Sequence, residues 1–337
     1  MAKSMSSESL PLTVIVVTYN HQKYIAECIK SILSAGANEI IIIDNASTDN
    51  TISIVESFLN NHALRLVQNK VNLGYGSAVN IGVRLANNET IIIQNPDTIV
   101  NPNCYQLLHR SLLSGDKIIS SPIIMMYDGT IVNTLGNIEH FTGLGLINGI
   151  GLPAHTDFSK YSINGISGAC FAIFRKNYLE IGGFDENFFC YMEDVELSWR
   201  ALSLDYQFIL VPGAFINHDY QIKLTSEKFF QLEKGRYYIL KKFLTRREII
   251  SILPSLIIVE ILSFTLALIN GNDFIKKKVE ILFKINSIKP VPFKWNARLL
   301  SSLDTNVPDI FTLNKSHKNL FKLINLLFLI NKMVIKK

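Results

Sequence analysis

The segment Thr90-Ile91-Ile92-Ile93-Gln94-Asn95-Pro96-Asp97 leaves the fold little freedom. A run of β-favouring residues this apolar reads as a strand buried on both faces, the kind found in parallel sheets covered by helices. Asn-Pro then stops the strand and leaves a carboxylate just past its end. In open α/β sheets, ligands bind beyond the carboxyl ends of strands, so Asp97 is a candidate ligand-binding acid. Taken alone, Asn95-Pro96-Asp97 is also an ordinary turn.

The preceding residues repeat the pattern. Leu12–Val17 is a buried-strand run ending in Thr18-Tyr19-Asn20, and Tyr24 to Ser34 follows with helical spacing of Ile25, Cys28, Ile29 and Ile32. Glu39–Ile43 reads as a second strand leading into Asp44-Asn45, Thr51–Asn60 as a helix, and Leu64–Val67 as a third strand. Ser77 is expected to cap the helix before Thr90. This is a β-α-β series. A dinucleotide fold would place Gly-x-Gly-x-x-Gly after the first strand; Tyr19-Asn20-His21-Gln22 stands there instead and argues against one. Polar strand ends at Thr18-Tyr19-Asn20, Asp44 and Asp97 would meet on one edge of the sheet. A carboxylate there can accept a base ring N–H, and another can hold a divalent cation between phosphates.

Charge divides the chain. Residues 1–220 carry 12 Lys and Arg against 20 Asp and Glu, whereas residues 221–337 carry 21 against 8. An acidic front half and a basic, apolar back half fit a soluble catalytic or binding domain followed by a segment that meets anionic lipid. The basic residues alternate with aliphatic runs rather than stacking aromatics, which disfavours nucleic acid as a partner. Cys28, Cys104, Cys170 and Cys190 form no Cys-x-x-Cys pair and read as reduced thiols of a cytosolic domain. Residues 1–10 are expected as a disordered N-terminus without the apolar core of a signal peptide.

Val16–Asn20, Ile43–Ser47, Asn72-Leu73-Gly74-Tyr75-Gly76, Asn95-Pro96-Asp97, Ser167-Gly168-Ala169-Cys170, Gly182-Gly183-Phe184-Asp185-Glu186 and Tyr191–Arg200 together resemble the family 2 glycosyltransferases. The rhamnosyltransferase-like branch is the nearest in pattern, and the resemblance runs from about Leu12 to Tyr238. It implies a GT-A fold, an α/β architecture with a mostly parallel central sheet. It also implies a nucleotide-sugar donor, a divalent metal (Mg or Mn) and inversion at the anomeric carbon. Position by position, Thr18, Tyr19 and Asn20 match the donor-nucleotide segment and Asp44 the base-recognising acid. Gly74, Asn95 and Gly168 fall in the donor-binding motifs. Asp97 matches the last acid of the metal-binding Asp-x-Asp motif. Asn95 stands where the first aspartate would be, so diphosphate and water must supply more of the coordination.

Residues 123–165, rich in glycine, read as short strands and loops over the donor site, with Asp128-Gly129 as a hairpin turn. Ile166–Lys176 is expected as a strand and Asn177–Ile181 as a helix. Glu193-Asp194-Val195-Glu196 opens a helix whose Val195, Trp199 and Leu202 share one stripe. Three acids in four residues exceed what helix capping uses. An inverting transfer requires one base to take the acceptor's proton. Asp194 matches the family's catalytic aspartate, with Glu193 beside it; Glu196 can pair with Arg200 on the helix surface. Phe208–Val211 reads as a strand, Pro212-Gly213 as a turn, and His218 as a metal or diphosphate contact by resemblance. Lys223, Arg236 and Tyr237 match phosphate-closing positions only loosely.

Residues 11–240 are thus expected as the GT-A domain and 241–337 as a basic, apolar helical tail. Residues 249–269 are nearly unbroken apolar sequence, about 30 Å if helical. Pro254, Glu260 and basic clusters at both ends (Lys241, Lys242, Arg246, Arg247; Lys276–Lys278) favour an in-plane or monotopic helix pair over one crossing, with a soluble core or homodimer face also open. Residues 319–335 repeat the basic, apolar pattern. The expected activity is transfer of a sugar, rhamnose by the branch resemblance, to a glycan or lipid-linked glycan acceptor on the cytoplasmic face of the membrane, for cell-surface polysaccharide. A polyprenyl-phosphate sugar synthase and a non-catalytic nucleotide-sugar-binding scaffold stand as alternatives.

Overall fold

A computed structural model of the protein describes residues 10–220, 223–294, 299–308 and 315–335. Residues 1–9, and with them most of the expected N-terminal tail, lie outside the described residues; Leu10, assigned to that tail, instead opens β1.

The first half alternates as its apolar runs predict. β1 (Leu10–Thr18), α1 (Ile25–Ser34), β2 (Ala37–Asp44), α2 (Thr51–Glu56), β3 (Leu64–Gln68), α3 (Tyr75–Leu85) and β4 (Thr90–Gln94) follow in order. The strands pair in parallel as β3-β2-β1-β4, with Thr18 beside Asp44 and Asp44 beside Gln68. Successive side chains serve opposite faces: Val14, Val16, Ile40, Ile42 and Ile92 enter one core, Ile15, Ile41, Ile43, Ile91 and Ile93 the other. All ten are fully buried, each burial contributing about 1.5–3 kcal/mol against chain entropy.

The sheet then becomes mixed. β5 (Thr98–Val100), α4 (Cys104–Leu112), β6 (Ile118–Met126), β7 (Val132–Thr134), β8 (Asn137–Glu139), β9 (Gly145–Ile147), β10 (Cys170–Phe174), α5 (Arg175–Ile181), α6 (Glu193–Ser203) and β11 (Gln207–His218) complete it. From β4 the order runs β10-β6-β11-β5, with β10 antiparallel to both neighbours, β7 paired to β6, and β8-β9 a separate hairpin. Asp128-Gly129 makes the expected β6–β7 turn, Gly129 donating its N–H to Met126 O.

Several local readings change. Helix α3 begins two residues before Ser77, because Gly74 at φ +86° is its N-cap and the Tyr75 N–H is held by Phe189 O. A Cβ on Gly74 would lie 2.5 Å from that same oxygen, so only glycine fits. The strand expected over 166–176 is confined to Cys170–Phe174, since Arg175 already starts α5. Pro212-Gly213 is no turn: it is a bulge inside β11, where the register against β6 shifts between Leu210 and Phe215. Proline lacks an N–H to donate, so it sits where the ladder is already interrupted.

Helices α7 (Ser226–Phe243), α8 (Arg246–Ser251), α9 (Leu253–Asn270), α10 (Asn272–Lys284), α11 (Leu299–Ser302) and α12 (Lys315–Ile335) follow. The long apolar run breaks beside Pro254, which lies in the first turn of α9. Trp199 of α6 shares one apolar core with Phe243, Val259, Ile281 and Phe328, so the last helices close over the acidic helix. Charges tie them down as well. Glu233 and Glu260 hold Arg236 and the wholly buried Lys278. Lys242 lies 2.6 Å from Asp185 and 2.8 Å from Glu196. The Lys241 ammonium donates to Ile285 O and Ile288 O. Three of the tail's expected surface cations therefore point into the protein. The Glu196–Arg200 pair, placed on the helix surface by its spacing, is buried too: Glu196 is 0% and Arg200 5% exposed. Arg236 and Tyr237, both bound to Glu260, are structural rather than phosphate-closing. Replacing Phe328 with Ala should cost about 3–5 kcal/mol in urea unfolding; a loss under about 1 kcal/mol would mean that α12 packs loosely.

Candidate active site

Parallel register carries Thr18, Asp44 and Gln94 to one sheet edge, and the loops beyond them build the site. Asp44 is fully buried. Its carboxylate accepts from Thr18 Oγ1 at 2.9 Å, Ser47 N at 2.9 Å and Ser47 Oγ at 2.5 Å. It therefore organises the loop in this conformation, and a base N–H must compete with Ser47 to reach it. Thr18 is likewise buried, whereas Tyr19 is exposed; Asn20 accepts from Thr48 N at 2.8 Å. His21, which sequence reading left unassigned, lies near Asp97, Asp49 and Asp44, yet burial dominates and lowers its pKa. It is thus the neutral member of an acidic group.

Asp97 and His218 meet as the spacing could not show. His218 Nε2 lies 3.3 Å from Asp97 Oδ1, and its Nδ1 lies 3.1 Å from Asn133 Oδ1. In the tautomer whose Nδ1–H donates to Asn133, Nε2 would turn a lone pair toward Asp97 Oδ1, an oxygen shielded from water and without a hydrogen-bond partner among the described residues. Two acceptors facing one another fit a cation between them. Among the described residues no cluster of three or more His, Cys, Asp or Glu forms a complete metal cage. The pair fits a divalent ion completed by diphosphate and water. Asn95 bonds Ala169 O and Cys28 through its backbone and lines the cavity together with His218.

A cavity of about 320 Å³ opens between these residues and α6, walled by Asn95, Asn137, Gly168, Glu193, Asp194, His218 and Lys228. The chain enters α6 through Tyr191 (φ +70°) and Met192 (φ +71°), two left-handed non-glycine residues in succession. Such strain costs about 1–3 kcal/mol per residue and gathers where side chains must be aimed. Here it presents Glu193 and Asp194 at the cavity wall. Asp194 accepts from Asn137 Nδ2 at 3.1 Å, Gly168 N at 3.0 Å and Val195 N at 2.9 Å. Burial raises its pKa, while these three donors favour the carboxylate. Glu193 has Oε2 unpartnered among the described residues, and burial followed by the charge of Asp194 pushes its pKa up to about 8. Of the coupled pair, Asp194 is the charged member and Glu193 the neutral one near pH 7.

Sequence reading missed Asn133, Asn137, Tyr75 and Lys228. Tyr75 donates to Gly168 O at 2.8 Å and so fixes the loop that bonds Asp194. The Lys228 ammonium sits 5.1 Å from the Tyr191 ring and 5.2 Å from the Tyr220 ring, with no carboxylate partner among the described residues. The signal was present: Lys228 is a cation in the first turn of α7, where a helix disfavours positive charge. Lys223, the expected basic residue nearby, is exposed and does not line the cavity.

With this geometry in hand, the comparisons assign the class. The model for "Glycosyl transferase family 2" matches residues 13–182, half of the chain, and the protein belongs to that family. Over 219 residues it is 26% identical to the poly-beta-1,6-N-acetyl-D-glucosamine synthase of Staphylococcus epidermidis, covering 64% of this chain and 51% of that protein. Over 234 residues it is 26% identical to the N-acetylglucosaminyl-diphospho-decaprenol L-rhamnosyltransferase of Mycobacterium tuberculosis, covering 61% and 75%. The chain thus spans about half the length of the first of these relatives. Among solved structures, a mannosyltransferase from Pyrobaculum calidifontis in complex with GDP-Man and Mn2+ superposes with TM-score 0.54 at 17% identity, covering 97% of this chain and 87% of that one. The fold is GT-A.

Because Glu193 holds a proton that the unfolded chain loses above its ordinary carboxyl range, stability should fall as pH rises from about 5 to about 8. Glu193→Gln should abolish that share of the fall, its urea midpoint gaining on the parent toward pH 8. Parallel midpoints for the two proteins would show Glu193 to be charged throughout.

Proposed function

We propose that this protein is an inverting glycosyltransferase moving a sugar from a nucleoside-diphosphate donor to a hydroxyl of a glycan acceptor, with Asp194 as the base. The observation that carries the reading is a buried carboxylate held by three N–H donors beside a second carboxyl with an unpartnered oxygen among the described residues, across one cavity from His218 and Lys228. Asp194 takes the acceptor's proton as its oxygen attacks the anomeric carbon; the bond from that carbon to the diphosphate breaks, and the nucleoside diphosphate leaves. Lys228 meets the charge that develops on the leaving group. Asp97 and His218 would hold a divalent ion, which neutralises diphosphate charge when bound. Tyr19, Asn20 and the Asp44 loop take the nucleoside.

The relatives support a donor of this kind and bear on the acceptor. One is named for a decaprenol-linked substrate and another for a polysaccharide, which favours a lipid-linked or polymeric glycan of the cell surface. Rhamnose is the donor sugar that the branch resemblance favours. A phosphate acceptor, as in a polyprenyl-phosphate sugar synthase, would bring its own negative charge against Asp194 and would have no use for a base. A pure binding scaffold would have no use for one either.

Asp194→Asn should lower kcat by about 10²–10⁴ or more while leaving thermal stabilisation by nucleotide unchanged; full activity in that variant would remove Asp194 from the base's role. A thermal-shift panel of UDP, dTDP, GDP and CDP, each with and without Mg or Mn, identifies the donor class. A true ligand at 100 times its Kd adds about 2.7 kcal/mol, and stabilisation that needs metal would support Asp97 and His218 as its holders. Lys228→Ala should weaken the preferred nucleoside diphosphate about tenfold to a hundredfold and leave the free nucleoside unaffected. An equal loss for both ligands would place Lys228 away from the phosphates.

A further inference from the structure

We propose that α9 and α12 seat the protein in the plane of an anionic bilayer surface, with α9 lying on the membrane and not crossing it. By length and composition alone α9 passes for a span: it has 18 residues and mean hydropathy 1.9. Its packing forbids that. Val259, Ser263 and Ala267 turn inward, and mid-helix Glu260 is locked to Arg236 and Tyr237 of α7 and Lys278 of α10. A helix fastened at its midpoint to the body of the protein cannot enter hydrocarbon without carrying those charges with it.

Among the described residues nothing covers the opposite side of α9. Ile257, Ile261 and Leu268 are between 52% and 62% exposed, at helical spacing, and only 28% of the helix is buried. Alongside lies α12, joined to α9 by Ser255, which donates to Asn331 Oδ1, and to the end of α8 by Asn331 Nδ2, which donates to Ser251 O. α12 exposes Leu323, Leu327 and Ile330 while Ile324 and Phe328 face the core. Two adjacent helices, each with one aliphatic row in water, form the kind of exposed apolar surface that marks an interaction site.

Charge selects the occupant. The sequence of α12 contains no acidic residue, and the one acid of α9 is the inward Glu260. Around the aliphatic rows, Arg246, Arg247 and Lys322 are exposed, and no ion pair engages them among the described residues. A second copy docking by two-fold symmetry would bring these cations against their own duplicates, with no acid on α12 and with Glu260 of α9 and Glu248 of α8 already engaged, by Arg236 and by the Thr245 cap. An anionic headgroup layer answers all of them while the acyl boundary takes the aliphatic rows.

The test is vesicle flotation of the full chain. The parent should float with phosphatidylcholine vesicles containing phosphatidylglycerol, several-fold more than with phosphatidylcholine alone, and alkaline carbonate should release it. Ile257→Glu with Ile261→Glu, and independently Leu323→Glu with Ile330→Glu, should each abolish flotation while leaving thermal midpoint and nucleotide-induced shift unchanged. Arg246→Glu with Arg247→Glu should erase the preference for phosphatidylglycerol. Carbonate-resistant binding would mean that α9 spans. A parent that does not float, or a parent dimer that either pair of Glu substitutions dissolves, would give the face to another protein surface and overturn the proposal. None of these readouts depends on glycosyl transfer.

Discussion

Parallel pairing of β3, β2, β1 and β4 is the constraint from which the rest follows. Strands buried on both faces need helical crossovers, and crossovers of one hand send every strand in the same direction. The carboxyl ends then arrive together, and the short polar loops after them have no other place to go. Fully buried isoleucines fix the register, because a slip of one residue would exchange the two cores on either side of the sheet. The sheet-edge side of the site inherits its geometry from that register. The facing wall is made by α6, which packs under the later helices and is aimed by the strained turn at Tyr191-Met192.

Electrostatically the site is built by separating the roles of like groups. Asp194 and Glu193 are neighbours in sequence and both buried, yet three N–H donors serve one and none found among the described residues serves the second oxygen of the other. Environment, not residue type, separates the two: hydrogen-bond donors favour the carboxylate of Asp194, while burial holds the proton on Glu193. His218 shows the same dependence on surroundings, its ring held between Asn133 Oδ1 at 3.1 Å from Nδ1 and Asp97 Oδ1 at 3.3 Å from Nε2.

How much of this was legible in the sequence depends on distance along the chain. The strands and their polar ends could be read because each is a local run, and the acidic turn at Glu193 because three carboxylates in four residues have little other use. Asn133 and Asn137 could not be placed, since they come from the glycine-rich stretch without periodicity and matter only through what the fold sets opposite them; Lys228 lay in a helical segment, and only the fold shows that it faces the cavity. The tail misled in an instructive way. Lys241, Lys242 and Lys278 looked like surface cations because their partners lie far off in sequence: Asp185 and Glu196 for Lys242, Glu233 for Lys278. Pro212-Gly213 was misread for the opposite reason, a strong local turn signal overruled by the ladder on either side of it.

Lys242 has a consequence for how such a protein can be recombined. Its ammonium, contributed by α7, is a shared counterion for Asp185 in the Gly-Gly-Phe-Asp-Glu loop and Glu196 on the acidic helix. A chimera that joined this catalytic half to another helical tail would inherit two buried carboxylates with their cation removed. One of them keeps Arg200; Asp185, whose pKa Lys242 helps to hold down near 2, keeps only neutral donors. The junction between the two halves is therefore not modular: a crossover at the end of the sheet separates Lys242 from both acids, and one inside α7 parts Glu233 and Arg236 from Glu260 and Lys278.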